Sequence, residues 1–375
     1  MTTYEVRIAD ALGTQLAAVR DFTTDPDKGG AMCAYALNVG QVGALTLTLP
    51  PQYDKALLLD GRISVFRDVG GGGKREGDAQ FLIRKWVYGE QTTTVTAYHV
   101  NDLLRRRIIN YFSGTTYTSK TSTAADNLIK AFITQQLGAG IVGADRIGVE
   151  TYADISAYLS LQASTGLGPT TSLAAAWQNL FDVVRKLADA ATQAGTYLTA
   201  DVVATSDSAL ELRTYVGQRG VDRRASGTQG LIFASTLGNV ENVALTVDRT
   251  NEVTFATAAG VGQGTARMTQ TASDDARMAE SPFNRREVFV DQSNVTDTAQ
   301  LLAYARAAVR AGRPAISLTG DIVETPFCVR GLHYDLGDYV TVQHRGQQYD
   351  VRLDTIAVQL GRGTVQQKVE FKYNP

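Results

Sequence analysis

The sequence predicts an α+β protein, mainly β, in which two β regions stand on either side of a largely helical one. Three observations predict it. Period-two alternation and β-forming residues dominate residues 1–100, and three- and four-residue spacing of apolar side chains takes over in 101–209. Alternation then returns over 210–375, interrupted by one helix at about 297–311. At 375 residues the chain exceeds what one hydrophobic core usually serves, so these three stretches read as separate packed domains.

In the first region strands are expected at Tyr4 to Ala9, Ala44 to Leu49, Arg62 to Arg67, Gln80 to Tyr88 and Thr92 to Tyr98. The second of these shows the pattern most plainly: Leu45, Leu47 and Leu49 share one face, Thr46 and Thr48 the other. Between two of the strands, Gly70-Gly71-Gly72-Gly73-Lys74-Arg75-Glu76-Gly77 reads as a polar hairpin connector with a mobile tip.

The helical region opens with a stripe of Leu128, Ile129, Phe132, Ile133 and Leu137, which Gly138 stops. A second helix is expected after Ser172, because Leu173, Ala176, Trp177, Leu180, Phe181, Val184, Leu187, Ala188 and Ala191 recur at helical steps toward Gly195. Trp177 and Phe181 read as its core anchors. The stretch from Ala139 to Thr171, rich in Gly, Ala, Ser and Thr, reads as loop with one short element.

From Tyr197 onward strands are expected at Leu210 to Val216, Leu231 to Ala234, Val243 to Val247 and Val253 to Thr257. Another is expected through Arg285-Arg286-Glu287-Val288-Phe289-Val290-Asp291. A helix from about Asp297 to Ala311 would turn Leu301, Leu302, Ala305, Ala308 and Val309 inward, with Thr296 or Asp297 as N-cap and Gly312 and Pro314 as stop. Leu336-Gly337-Asp338 then forms a turn that tips the chain into strands at Tyr339 to Gln343, Tyr349 to Leu360 and Thr364 to Tyr373. No short-period repeat is visible.

Composition narrows the function. Apolar residues make up 44% and charged residues 20%, with a formal charge of -2, which is ordinary for a folded protein and too weak to hold a duplex by charge. Arg105-Arg106-Arg107 adjoins Leu103, Leu104, Ile108 and Ile109 and reads as the wet face of a short helix. The two cysteines, Cys33 and Cys328, form no CxxC pair and are expected to be reduced and buried. The amino end carries Glu5 and lacks the basic and apolar regions of a signal peptide, and no apolar run has spanning length, so no direct membrane anchor is expected.

Catalytic and cofactor motifs are sparse. Gly70 to Lys74 fails a phosphate loop, having Asp68 and Arg75 where Gly and Ser or Thr belong. Gly260-Val261-Gly262-Gln263-Gly264-Thr265 fails the dinucleotide fingerprint at Thr265. Of the three histidines, His333, near Asp335 and Asp338, is the best placed for catalysis, yet its neighbourhood reads first as a surface turn. Asn294-Val295-Thr296 matches a glycosylation acceptor and is expected to be silent. Arg285-Arg286-Glu287 suits either a salt-bridged strand face or an inter-subunit contact, the former favoured. No cofactor, metal site or catalytic residue is predicted.

Taken in order, a series of segments resembles the hub proteins at the tail tip of long-tailed bacteriophages, the family of minor tail and baseplate hub proteins. The series runs through Ala9-Asp10-Ala11-Leu12-Gly13, Leu47-Thr48-Leu49-Pro50, Asp60 to Arg67, Asn101 to Ile109 and Trp177. It continues with Gly220-Val221-Asp222-Arg223-Arg224, Gly238-Asn239-Val240, Gly262-Gln263-Gly264, Arg285-Arg286-Glu287 and Gly337-Asp338. The resemblance implies two tail-tube-like β-barrel domains, from 1–100 and 210–375, with a helical or mixed insert over 101–209 and exchange of segments between domains. It implies a homotrimer closing a pseudo-sixfold ring that joins the tail tube to the tip, in the virion, at the distal end of the tail. The expected partners are tail tube or distal tail proteins, tape-measure protein and tip or fibre proteins, with DNA crossing the lumen without sequence-specific binding. A lumen for DNA should carry Thr, Ser, Gln, Asp or Glu more than Lys or Arg, since a basic lining would hold phosphates. Arg285, Arg286, Glu287, Gly337 and Asp338 are the candidate structural and interface residues. Two other readings stay open: a carboxylate-based cell-wall hydrolase of the tail, and a β-rich receptor- or carbohydrate-binding module, which would need clustered exposed aromatics. Because the last strand is followed at once by Pro375, lytic or receptor-binding activity is expected on another polypeptide.

Overall fold

The structure is a computed structural model describing residues 3–23, 30–69, 74–110, 118–141, 152–226, 230–361 and 364–373. The expected tip at 70–73 lies outside them. The protein is mainly β, as expected. Its first strands are β1 (Thr3–Ala9), β2 (Gln15–Val19), β3 (Met32–Asn38), β4 (Ala44–Leu49), β5 (Arg62–Asp68), β6 (Lys74–Tyr88) and β7 (Thr93–His99). The middle holds α1 (Asp102–Arg105), β8 (Thr118–Ala124), α2 (Ala125–Leu137), β9 (Leu159–Leu161), β10 (Thr170–Ala175) and α3 (Leu180–Gln193). Then follow β11 (Leu198–Ala204), β12 (Leu210–Val216), β13 (Asp222–Arg223), β14 (Ile232–Ala234), β15 (Val240–Asp248), β16 (Phe255–Ala259) and β17 (Thr269–Ser273). The last are α4 (Asp275–Ala279), β18 (Glu287–Asp291), α5 (Thr298–Ala311), β19 (Ala315–Ile322), β20 (Tyr339–His344), β21 (Gln347–Gly361) and β22 (Thr364–Lys372).

Two compact units emerge: Met1–Ala191 with Thr196–Ala244 and Leu318–Pro375, and Thr192–Gly195 with Leu245–Ser317. In the larger, one sheet runs in the order β15-β19-β22-β21-β3-β4-β7-β6-β5-β1-β2, with β20 alongside β21 and carrying β13 and β14. Strands from the two ends of the sequence therefore share a sheet. Their junction is the antiparallel pair β3 and β21, in register from Cys33 opposite Leu360 to Asn38 opposite Thr355. One face of this sheet is apolar: Cys33, Tyr35, Leu37, Leu45, Leu47, Val95, Ala97, Ile356, Val358 and Leu360 are all buried.

The middle of the chain builds a second core in the same unit. There α2 and α3 contribute Leu128, Phe132, Ile133, Phe181, Val184 and Leu187, and the small sheet β11-β12-β9 adds Val202 and Leu212. Here the structure corrects the helix expected after Ser172. Residues Thr170–Ala175 pair antiparallel with β8 instead, and the helix starts at Leu180. Phe181 is a core anchor, but Trp177 is not: it sits at φ 58° with 54% of its surface exposed. The physical signal was Asn179, whose Oδ1 accepts the Phe181 N–H at 3.0 Å and caps the helix.

The smaller unit has the sheet order β17-β16-β18 with α5 packed on one face. Asp297 caps α5 by accepting the Ala299 N–H at 2.9 Å, and Leu301, Ala305 and Val309 bury against Ala256 and Ala258. Leu302 and Ala308 are half-buried.

Candidate functional site

Alternation along the large sheet leaves the face opposite its apolar core with short, mostly uncharged side chains. Register assembles them into rows. Gln366, Gln359, Ala34, Thr46, Thr96 and Lys85 lie across successive strands, from β22 to β6. A neighbouring row holds Lys368, Ala357 and Ala36, and another Glu370, Thr355 and Asn38. The Thr48 and Thr94 hydroxyls meet at 3.5 Å on the same face. A groove of about 700 Å³ opens over Ala34, Ala36, Gln359 and Gln366, with Glu241, Asp321 and Lys368 at its walls. Such a surface offers hydrogen bonds everywhere and a strong field for phosphate nowhere.

Gly337 and Asp338 anchor this unit from behind. Gly337 takes φ 89°, and a Cβ there would fall 2.9 Å from that of Arg219. The turn places the Asp338 carboxylate under the Val221 N–H at 2.6 Å, the Asp335 N–H at 2.9 Å and the Arg223 Nε at 2.9 Å. Burial raises the Asp338 pKa above the ordinary carboxylate range, outweighing these three donors, which act to lower it. Gly220 is required beside it, because a Cβ would come within 2.2 Å of Asp338 Oδ1.

The same turn continues into a second carboxylate. Arg219 donates from Nη1 to the Leu336 carbonyl and from Nε to Asp201, each at 2.7 Å. Asp201 also accepts the Gly40 N–H at 3.0 Å and Asn101 Nδ2 at 2.9 Å, while Asn101 Oδ1 accepts the Val202 N–H at 2.6 Å. Buried polar contacts thus tie β11, the β3–β4 turn, the end of β7 and the turn before β20. Removing either carboxylate would strand several buried donors, at about 3 kcal/mol.

Arg285, Arg286 and Glu287 lie in the smaller unit. Arg285 Nε and Glu287 Oε1 pair at 2.6 Å along one exposed strand face, and Arg285 covers the Phe255 ring at 4.2 Å from its centroid. Arg286 instead reaches back to the carbonyls of Arg249 at 3.2 Å and Thr250 at 2.8 Å. The structure thus brings Arg285 to Glu287 and Gly337 to Asp338.

His333 does not assemble a triad with Asp335 and Asp338. Its Nδ1 accepts the Val329 N–H at 3.0 Å, Asp335 caps its own turn through the Leu336 N–H, and Asp338 is engaged as described. Among the described residues no group of three or more His, Cys, Asp or Glu is placed to hold a metal ion. Nor, among them, is any helix long and apolar enough to cross a membrane. Cys33 and Cys328 are buried and unpaired with each other, and burial pushes each thiol up to about 12.

Sequence reasoning missed a buried cationic cluster. Arg67 bonds the Arg330 carbonyl and Glu324, Glu324 also accepts Gln367 Nε2 at 2.8 Å, and the fully buried Arg330 donates to the Tyr35 hydroxyl at 3.2 Å. Its one signal was Arg67 on the same strand face as Ile63 and Val65.

The profile of the family described as Siphovirus ReqiPepy6 Gp37-like protein matches residues 37–371. The chain belongs to that family. No individually curated protein sequence matches this Gp37-like chain. Among solved structures, the tail protein from Neisseria meningitidis MC58 superposes with a TM-score of 0.60 at 13% identity, over 99% of this chain and 97% of that one. The prophage MuSo2 43 kDa tail protein from Shewanella oneidensis gives 0.60 at 13%, over 99% and 98%. Prophage tail protein gp18 from Listeria monocytogenes EGD-e gives 0.52 at 12%, over 99% and 94%. At these identities the likeness is one of fold, and it extends over nearly the whole length of each protein. The Gp37-like chain has the fold of phage tail proteins.

Proposed function

We propose that this Gp37-like protein is a structural hub of a phage tail tip, three copies of which close a pseudo-sixfold ring around a channel for DNA. The observation that carries the reading is the β3–β21 junction, which joins strands from residues 3–99 to strands from 339–372 in one continuous sheet. In this reading residues 1–100 and 210–375 supply two tube-like domains, each completed by segments of the other, and 101–209 is the helical or mixed insert. Two similar surfaces per chain let a threefold ring meet a sixfold tube. The Thr-, Ala- and Gln-bearing face is the lumen lining, and the Asp338 turn holds the halves in register behind it. Arg285, Arg286 and Glu287 serve as a structural, salt-bridged strand face of the smaller unit, and the partners of the hub are tail tube or distal tail proteins, tape-measure protein and tip or fibre proteins.

Catalysis is assigned no part in this reading. It is supported by His333, Asp335 and Asp338 being spent on turn contacts. The test combines light scattering with negative-stain imaging of the purified protein, alone and with tail partners. A particle of three times the 40.3 kDa chain mass with a central hole is expected. A compact monomer under all conditions that clears cell-wall suspensions would replace the hub with a hydrolase.

A further inference from the structure

The large sheet repeats itself. Strands β3-β4-β7-β6-β5 lie side by side in the same succession as β15-β19-β22-β21-β20, and the long members, β6 and β21, have 15 residues each. The match extends to single residues. Leu82 of β6 pairs with the first residue of β5, Arg62, as Arg352 of β21 pairs with the first of β20, Tyr339. Register with the next strand slips after Ile83 in one set and after Leu353 in the other, so Arg84 and Asp354 are the bulged residues. Before β5 and β20 stand Asp60 at φ 56° and Gly337 at φ 89°, both in the left-handed region. Their N–H groups donate to the carbonyls of Ile83 at 3.2 Å and Leu353 at 2.8 Å, and the Ile83 and Leu353 N–H groups donate back to Gly61 at 2.8 Å and Asp338 at 2.9 Å. Beyond β5 and β20 the likeness stops, since β1 runs antiparallel to β5 while β13 and β14 run parallel to β20.

The repeat makes one junction and leaves its counterpart open. Past its bulge, β21 has β22 on one edge and β3 on the other, and there Ile356 pairs with Leu37 and Val358 with Tyr35, all four buried. Past its own bulge, β6 has β7 on one edge, and among the described residues no strand pairs with the other. The Gly89 N–H donates to the Thr92 carbonyl at 2.9 Å, so the alternation of an antiparallel ladder turns the backbone groups of Lys85 and Val87 toward β7 and those of Trp86 and Tyr88 outward. Trp86 and Tyr88 are the counterparts of Ile356 and Val358, yet they are uncovered. Trp86 is half-buried, Tyr88 is 58% exposed, and Val87 between them is 51% exposed. At the far end of the succession β15, the counterpart of β3, has no strand beyond it among the described residues. Within the larger unit it runs from Val240 to Ala244. There Glu241, Asn242 and Ala244 are exposed, and β15 carries no Pro or Lys to discourage a strand.

An open strand edge takes another strand, and the repeat says whose. Each chain carries both halves of the missing junction, the bare end of β6 and the bare β15, at opposite ends of the succession where they do not pair with each other. We propose that β15 of one copy pairs with Trp86–Tyr88 of β6 in the next, reproducing between chains the β21–β3 junction made within each. The contact is head-to-tail, so it closes into a ring where the rotation allows, and three chains then hold six junctions of one kind, three internal and three between copies. It rests on the ring reading and supplies the surface by which the ring closes.

The test is disulfide trapping in the full-length protein, alone and with tail partners. One chain carries Tyr88→Cys, and a second carries Glu241→Cys, Asn242→Cys, Val243→Cys or Ala244→Cys. At least one mixture gives a cross-linked pair of chains that neither variant gives by itself, and both substitutions in one chain give a covalent ring of three. Tyr88→Lys, at a position exposed in the single chain, raises the concentration needed for assembly about tenfold or more without lowering the melting midpoint of the unassembled chain. A threefold ring that cross-links at none of the four positions and tolerates Tyr88→Lys overturns the junction and leaves the hub reading standing. Cross-linking of Tyr88→Cys only to itself, or only to a different tail protein, gives the edge to another occupant and overturns it too. A chain that stays monomeric with every tail partner removes the ring and the junction together.

Discussion

At His99 the fold holds an imidazole neutral. Its Nδ1 accepts the Asn101 N–H at 3.3 Å, a bond that a proton would break, and the ring packs edge-on against Phe81 at 5.9 Å between centroids. Burial, helped by Arg219 and opposed by Asp201, lowers its pKa from 6.5 to about 4. Between those two values the unfolded chain binds a proton that the folded chain refuses. Stability is therefore complete above the unfolded pKa and is lost as the pH falls toward 4. The raised carboxyl of Asp338 works in the opposite sense, since the folded state binds its proton more tightly. Substitution separates the two. Urea unfolding between pH 7 and 5 should show His99→Gln, whose amide oxygen can accept the same N–H, losing about 1 kcal/mol less per pH unit than the parent. Parallel slopes for the two proteins would refute the assignment.

Among the elements, α3 separates pattern from position. The spacing from Leu173 to Ala191 is helical throughout, yet only residues from Leu180 form the helix, because Asn179 caps it and Thr170–Ala175 is claimed by β8. Phe181→Ala should cost about 3 kcal/mol for a vacated core site. Trp177→Ala, at an exposed position, should cost under about 1 kcal/mol by the same thermal measurement. Equal costs would return Trp177 to the core. Strands with clean alternation were legible for the same physical reason that α3 was half legible: Leu45, Leu47 and Leu49 against Thr46 and Thr48 leave one reading. β3 was not, although it is the junction of the sheet. Its outward residues include Ala34 and Ala36, so apolar residues occupy both faces and the period blurs. The Arg67–Arg330 cluster and the Asp201–Gly40 contact join residues far apart in sequence, and nothing local announces such partners.

For the whole molecule, the polar row across the sheet makes the channel hypothesis quantitative. A duplex carries a negative charge every 1.7 Å or so along its axis, so a lining with a net excess of even a few fixed cations per chain would retain it by counterion release, whereas Lys85 and Lys368 of this face are offset by Glu241, Asp321 and Glu370. Thr46, Thr96 and Gln359 occupy one row and are exposed or half-buried, so arginine can replace them without vacating the core. The assembled parent protein should not retain duplex DNA at 0.1 M salt. The variant T46R/T96R/Q359R should retain it at low salt and release it as salt rises, with a steep logarithmic dependence read by filter binding. Because the three positions share a face, single substitutions should give graded effects in the same direction. Retention by the parent under the same conditions, or salt-independent behaviour of the triple variant, would remove this face from the path of DNA and leave the ring without its proposed lining.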